Sequence, residues 1–425
     1  MKLESFWQAN APVFKGAAQT PLPERADVVI IGGGFSGISA ARSLAKQGID
    51  VVVLEKNGIM SEASARNGGH CNSGIAKSFA DLVARKGLEK ASEMYRAYDS
   101  AVNYVSGIVK EEDIACDFRF CGKLKLASKP AHFDGLRAAC ELMRKTVDPE
   151  VELISAADIG REIDSQAFHG GLLQQRGASM HMGKFGVGLA EAAVRHGARI
   201  YEHHAVTAMT RLSGQRHRIS TAKGDIIADK VLLATGCSSD GPFPWVQRRI
   251  VPVGSFIIVT APLAPDLLHR LLPHDRTYVN SMNIGNYFRT TADHRLVFGG
   301  RARFAISNPA SDSRSGEILR SAMGKVFPAL ASAPVDYCWG GMVDMSADRL
   351  PHAGEENGVY YTMGYSGHGT QMSVWMGNVM ADLISGRADN NPWNDKPWAP
   401  VPGYFGKPWF LPLTGLYYKA KDRLF

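Results

Sequence analysis

Six consecutive residues, Gly32-Gly33-Gly34-Phe35-Ser36-Gly37, carry the sharpest chemical signal in the sequence. A short apolar run at 27–31 precedes them and a helical pattern at 35–47 follows. Gly32 permits a tight turn, Gly34 lets backbone approach a pyrophosphate, and Gly37 lets the helix pack against a strand. The phosphates sit at the helix N-terminus, at Phe35 and Ser36, where N–H groups and the helix dipole favour negative charge. Glu55 ends the next apolar run, 50–54, with Lys56 behind it. A carboxylate there accepts hydrogen bonds from a ribose hydroxyl. The spacing indicates a dinucleotide and does not by itself separate FAD from NAD.

Three further segments bear on that choice. Residues 231–236 (VLLATG) are an apolar strand ending in Thr235 and Gly236, a pattern that closes a dinucleotide domain around a flavin nucleotide. Gly364-Tyr365-Ser366-Gly367-His368-Gly369, followed by Thr370, lies between a strand and a helix. A helix N-terminus there stabilises the negative charge of a reduced flavin; the alternative is an ordinary Gly-rich turn. Ser64-Ala65-Arg66-Asn67-Gly68-Gly69-His70 suggests backbone laid against a flat ligand, or else a solvated loop.

The elements that position these segments alternate. The strand–helix–strand unit at 27–54 requires a crossover helix and a parallel sheet. Strands are expected at 122–127, 250–260, 284–290, 295–300 and 358–362, a β-meander over 199–233, and helices at 184–196 and 370–385, the last stopped by Gly386. A chain of 425 residues is long for one core. With 45% hydrophobic and 21% charged residues it reads as an ordinary soluble globular protein. The net charge of +7 is spread out and gives no reason to expect nucleic acid. No stretch reaches the ~18 apolar residues of a membrane span, and residues 1–26 have no signal-like apolar core. Cysteines 71, 116, 121, 140, 237 and 338 form no CxxC pair and no metal cluster, so no metal is expected and reduced thiols in the cytoplasm are.

Taken in order, these motifs resemble the D-amino acid oxidase-like FAD oxidoreductases. Within that family the chain is similar to the bacterial gamma-glutamylputrescine oxidoreductases and related enzymes of polyamine catabolism. The carrying segments are SARNGG (64–69), YFRTTADHRLVFGG (287–300), WGGMVDMSADRLP (339–351), YSGHG (365–369) and PLTGLYYKAKDRLF (412–425). The resemblance implies an α/β fold with a Rossmann-like FAD-binding domain and an interleaved mixed-sheet substrate domain. FAD-binding parts are then expected at 1–85, 171–245 and 336–386, substrate parts at 86–170 and 246–335, and a C-terminal strap at 387–425. It implies FAD contacts at Gly32, Gly34, Gly37, Glu55, Lys56, Ser64, Arg66, Asn67, Gly68, Gly69, Val206, Thr235, Gly236, Gly367, His368 and Gly369, with Gly364 and Thr370 beside them.

The chemistry implied is FAD-dependent oxidation of a carbon–nitrogen bond in a small-molecule amine or amino acid. Oxygen or a quinone is the electron acceptor. Arg289 is expected to anchor a substrate carboxylate, with Tyr287 beside it and His70 and His368 as candidate proton acceptors. Gln371 stands where sarcosine oxidases place a Lys, which disfavours a sarcosine-like substrate. Cys338 is one residue away from a flavin-attachment position, so non-covalent FAD is expected, with attachment at His70 or Cys71 a minor alternative. A 2-hydroxy acid dehydrogenase on the same fold, or a flavin-binding subunit without its own activity, are the competing readings.

Overall fold

The computed structural model describes residues 1–238, 241–300, 306–388, 390–394 and 398–424. Two eight-stranded sheets organise them. The first contains five parallel strands in the order Val359–Met363, Gly224–Leu233, Arg25–Ile31, Val51–Leu54, Arg199–Tyr201. Val51–Leu54 is buried throughout, as a parallel strand covered on both faces must be. The Gly-rich turn, Glu55, Thr235-Gly236 and the 364–369 turn all follow carboxyl ends of these strands, and therefore gather along one edge. Ligands of open α/β sheets bind at that edge.

Part of the meander expected over 199–233 is present. Val206–Arg211, His217–Thr221 and the first half of Gly224–Leu233 pair antiparallel. Arg199–Tyr201 does not join them; it pairs parallel with Val51–Leu54 at the far side of the sheet. Alternation alone could not reveal that crossover.

The second sheet runs Val335–Met345, Val251–Thr260, Leu296–Gly300, Asn286–Thr290, Thr277–Asn280, Lys123–Leu126, Gly171–Gln174, Glu152–Ile154. It is antiparallel except between Thr277–Asn280 and Lys123–Leu126. Its two faces differ in kind. Leu124, Leu126, Phe256, Tyr278, Phe288 and Phe298 point into an apolar core shared with helix Pro309–Val326. Their strand neighbours Lys123, Lys125, Ser255, Val279 and Tyr287 face a cavity. Successive side chains on a strand take opposite faces, so one polar and one apolar face are written into the same residues.

Strands of the two sheets alternate along the chain, as an interleaved architecture requires. Two of the expected boundaries move, however. Gly171–Gln174 and Val335–Met345, placed by sequence in the cofactor-binding parts, both pair within the second sheet. Helix Phe35–Ala45 is buried along its whole length and crosses helix Gly369–Ser385. Ser39 Oγ donates to the Val374 carbonyl at 2.6 Å. A Cβ on Gly377 would lie 2.5 Å from the Ser36 carbonyl oxygen, so glycine is what allows so close a crossing.

Candidate active site

The crossing brings two helix N-termini to one cavity of about 540 Å³, within the ~300–1,000 Å³ usual for small-molecule sites. Gly34, Phe35 and Ser36 line one part of it, and Gly367, His368, Gly369 and Thr370 another. Neither helix has an acid in its first turn, and neither N-cap residue, Gly34 or His368, caps with its side chain, which leaves both ends favourable to an anion. Gly32 has φ +115°, and a Cβ on Gly37 would run into the Gly32 carbonyl oxygen. Glu55 tightens the turn: Oε2 accepts from Gly33 N at 2.7 Å and Oε1 from Asn57 N at 2.8 Å.

The 64–70 segment forms the cavity's side. Ser64 Oγ accepts from Phe35 N at 3.0 Å. Asn67 holds the loop shape, accepting from Gly69 N at 2.8 Å and donating to the Ser64 carbonyl at 2.9 Å. Arg66 Nε donates to the Gly340 carbonyl at 2.7 Å, and Trp339 Nε1 to the Arg66 carbonyl at 3.1 Å. The WGG segment thus clamps the 64–70 loop. The N-terminal segment braces it as well, through Trp7 Nε1 to the Asn67 carbonyl (2.7 Å) and Ser5 Oγ to the Ala65 carbonyl (2.6 Å).

His70 and Tyr287 both line the cavity, their rings 5.4 Å apart and edge-on. Tyr287 OH and Ser255 Oγ share a hydrogen bond of 3.2 Å. Burial, then the positive charges of Arg289 and Lys123, hold the His70 imidazole well below its ordinary pKa, so it is neutral. Its Nε2 is enclosed with no hydrogen-bond partner among the described residues, and so is Thr235 Oγ1. Asp344 lies under the 364–369 turn and accepts from Gly364 N (2.7 Å) and Tyr365 N (3.2 Å). Burial raises its pKa to about 6.

Residues 27–383 match the family described as "FAD dependent oxidoreductase" (DAO). This chain belongs to that family. DAO relatives extend over nearly its whole length. It is 31% identical over 404 residues to gamma-glutamylputrescine oxidoreductase of Escherichia coli (strain K12), covering 94% of this chain and 93% of that protein. It is 30% identical to the probable oxidoreductase OrdL of Haemophilus influenzae, covering 85% of this chain and 84% of the relative. Among solved structures, glycine oxidase from Geobacillus kaustophilus superposes with a TM-score of 0.73 at 20% identity, over 89% of this chain and 99% of that one. L-Proline dehydrogenase from P. horikoshii does so with a TM-score of 0.69 at 20% identity, over 88% and 98%. Those two likenesses establish the DAO fold. The protein is an FAD-dependent oxidoreductase, and the Thr235 hydroxyl without a partner among the described residues, the two acid-free helix N-termini and the Glu55-braced turn fit the cofactor.

Most residues expected to touch FAD gather here. Gly34, Phe35, Ser36, Ser64, Arg66, Asn67, Gly68, Gly236, Gly367, His368, Gly369 and Thr370 line the cavity. Gly32, Gly37, Glu55 and Gly364 shape the turns behind it. Lys56 lies beside Ser238, Nζ to Oγ 3.4 Å. Val206 opens its strand outside the cavity, two residues after His204, whose N–H is held by the Glu55 carbonyl. Gln371 is buried in the cavity wall, Nε2 to the Asn72 carbonyl at 2.5 Å.

Arg289 is a correction. It shares a strand face with Tyr287, as the period of two requires, yet it does not reach the cavity. The 68–69 backbone lies over it: Nε donates to the Gly68 carbonyl (3.0 Å), Nη2 to the Met180 carbonyl (2.7 Å) and Nη1 to the Thr290 carbonyl (2.8 Å). Its guanidinium stacks 4.9 Å from the Trp7 ring centroid. All three nitrogens donate to backbone and the side chain turns away from this cavity, so it does not present its fork to a carboxylate there.

Cys338 Sγ points into the apolar core, 3.3 Å from the Asp312 carbonyl, and Cys71 is also buried away from the cavity. Sequence reasoning missed Lys123, Lys125, Arg349, Asp344 and Tyr418, all of which line the cavity. KLKL puts both lysines on one strand face, and the other three lie within the segments 339–351 and 412–425 without being singled out there.

Proposed function

We propose that this enzyme oxidises the carbon–nitrogen bond of a primary or secondary amine, with a gamma-glutamylputrescine-like compound as the best-supported substrate class. The single observation carrying this reading is the cavity itself. It joins the FAD-directed turns to a polar sheet face where a neutral imidazole and a tyrosine meet. The E. coli relative, named for oxidation of a glutamylated diamine, supports the same class.

Bound FAD supplies the two-electron acceptor that takes a hydride from the carbon bearing the amine. Water then hydrolyses the substrate imine to an aldehyde, releasing ammonia from a primary amine or an amine from a secondary one. The protein's residues orient and exclude solvent. Tyr287 and His70 bound the space beside the 68–69 backbone, and the 364–369 turn, fixed by Asp344, aims a helix N-terminus at the same space. Because His70 is uncharged, it adds no positive charge beside an amine that must react as the free base.

Oxygen or a quinone reoxidises the enzyme in this proposal, and it works in the cytoplasm on polyamine-derived compounds. Among the described residues no helix is long and apolar enough to cross a membrane. The test is anaerobic mixing with panels of amines and 2-hydroxy acids while flavin absorbance is followed. Bleaching by an amine, with an aldehyde formed, is the expected result. Bleaching by a hydroxy acid alone would replace this reading with the dehydrogenase one, and bleaching by neither would leave a flavin-binding subunit.

A further inference from the structure

Strand Lys123–Leu126 sits in the interior of the second sheet, between Thr277–Asn280 and Gly171–Gln174. Leu124 and Leu126 are fully buried in the apolar core. Lys123 and Lys125 therefore both project to the other face, into the cavity. Residues two apart on a strand are about 7 Å from each other, so two ammonium groups face one enclosed space.

Neither forms an ion pair among the described residues; the one acid whose charge reaches Lys123, Asp99, is itself paired with Arg176 at 3.2 Å. Lys123 Nζ donates to the Ser73 carbonyl at 3.2 Å. Lys125 makes no hydrogen bond or ion pair with the described residues. Asp344 is the one acid among the cavity-lining residues described, and its carboxylate is occupied by backbone N–H groups. Arg349 and Lys77 add further positive charge to the same walls. Burial, and then Lys125, depress the Lys123 pKa to about 8; burial depresses that of Lys125 as well. Half-buried ammonium groups with no ion pair of their own are costly to keep on a cavity wall. Two of them side by side suit an anion that enters the cavity.

We propose that Lys123 and Lys125 together bind the anionic end of the substrate, a carboxylate remote from the reacting amine. This rests on the functional reading above and narrows it to amines that carry an acid group. It also assigns to this strand the role that the buried Arg289 cannot fill. Holding the substrate by its anion leaves two cations near the binding space, which disfavours protonation of the reacting amine.

The test uses FAD-loaded protein and the variants Lys123→Met, Lys125→Met and Lys125→Arg. Glutarate, a dicarboxylate that cannot be oxidised at an amine, is titrated calorimetrically. Each Met variant is expected to lose about tenfold or more in glutarate affinity, and Lys125→Arg to retain most of it. KM for a gamma-glutamyl amine rises to a similar extent, while KM for the parent diamine changes little. FAD content and thermal stability stay at the wild-type level.

Wild-type protein that binds no glutarate at millimolar concentrations would overturn the proposal. So would Met variants with undiminished affinity, equal losses on both amines, or loss of FAD. If no amine reduces the wild-type flavin, the functional reading fails, whereas the glutarate titration still reports on the anion site by itself.

Discussion

Arg289 and Glu55 sit at opposite ends of what single residues do here. Arg289→Met leaves three enclosed carbonyls without their donor, a loss of about 3 kcal/mol even at the low end of ~1–3 kcal/mol per buried polar group. The melting temperature should fall clearly while KM for acidic amines stays within about twofold; a selective rise in that KM would restore Arg289 as an anchor. Glu55→Ala removes the acceptor of the Gly33 and Asn57 amides as well as the proposed ribose contact. Charge-assisted bonds contribute ~1.5–3 kcal/mol each, so the flavin-to-protein ratio after dialysis should drop well below wild type. An unchanged ratio would make Glu55 only a brace for the turn. His70 is held neutral, so flavin reduction at saturating amine should speed up between about pH 6 and pH 9 as the substrate deprotonates. His70→Asn should leave that profile in place; a profile flattened by the substitution would show that His70 takes the proton. Glu55 and the glycines were legible because their geometry is local. The parity of Arg289 was legible too, but the loop covering it comes from residues 68–69, more than two hundred positions away.

Elements depend on a few contacts that sequence patterns hide. Helix Met182–Arg195 is capped by His181, whose Nδ1 accepts from Lys184 N at 3.2 Å. Burial, then Lys184, lowers the His181 pKa from 6.5 to about 4. The unfolded chain therefore takes up this proton first as pH falls. The contribution is intact above pH 6.5 and is lost between 6.5 and about 4, at ~1.4 kcal/mol per unit. Urea unfolding at about pH 7 and about pH 5 should show a loss that His181→Asn reduces, since Asn still caps and does not titrate. The neutral His70 adds loss in the same window, so the reduction is partial; equal losses in both proteins would remove His181 from the account. Gly377→Ala should push the two crossing helices apart, costing about 1–3 kcal/mol and weakening FAD retention together. Strand Val335–Met345 and helix Pro309–Val326 escaped the sequence reading for identifiable reasons. The strand carries two adjacent glycines within its alternation, and the helix buries few large apolar residues, chiefly Leu319, Met323 and Val326.

At the scale of the molecule, the first sheet presents its carboxyl edge and the second its polar face to one cavity. The C-terminal tail, expected as a surface strap, also contributes there. Trp398 stacks on His352 with ring centroids 4.4 Å apart. Helix Leu411–Leu424 fixes the 283–284 loop through Asp422, which accepts from Asn283 N at 2.9 Å and Ile284 N at 2.8 Å, and Tyr418 lines the cavity and bonds to Arg349. The motifs identified the family and the cofactor because they lie in contiguous turns. They could not reveal the cationic face, which exists only once the second sheet is laid over the first.

The reaction proposed for this cavity is oxidation of an amine that carries an acid group. The most direct measurement is a stoichiometric anaerobic titration of the FAD-loaded enzyme with a gamma-glutamyl diamine, quantifying flavin bleaching and aldehyde together. Equal amounts of flavin reduced and aldehyde formed are expected, with far less bleaching by the same diamine lacking the glutamyl group. Bleaching by 2-hydroxy acids with no response to any amine would contradict it.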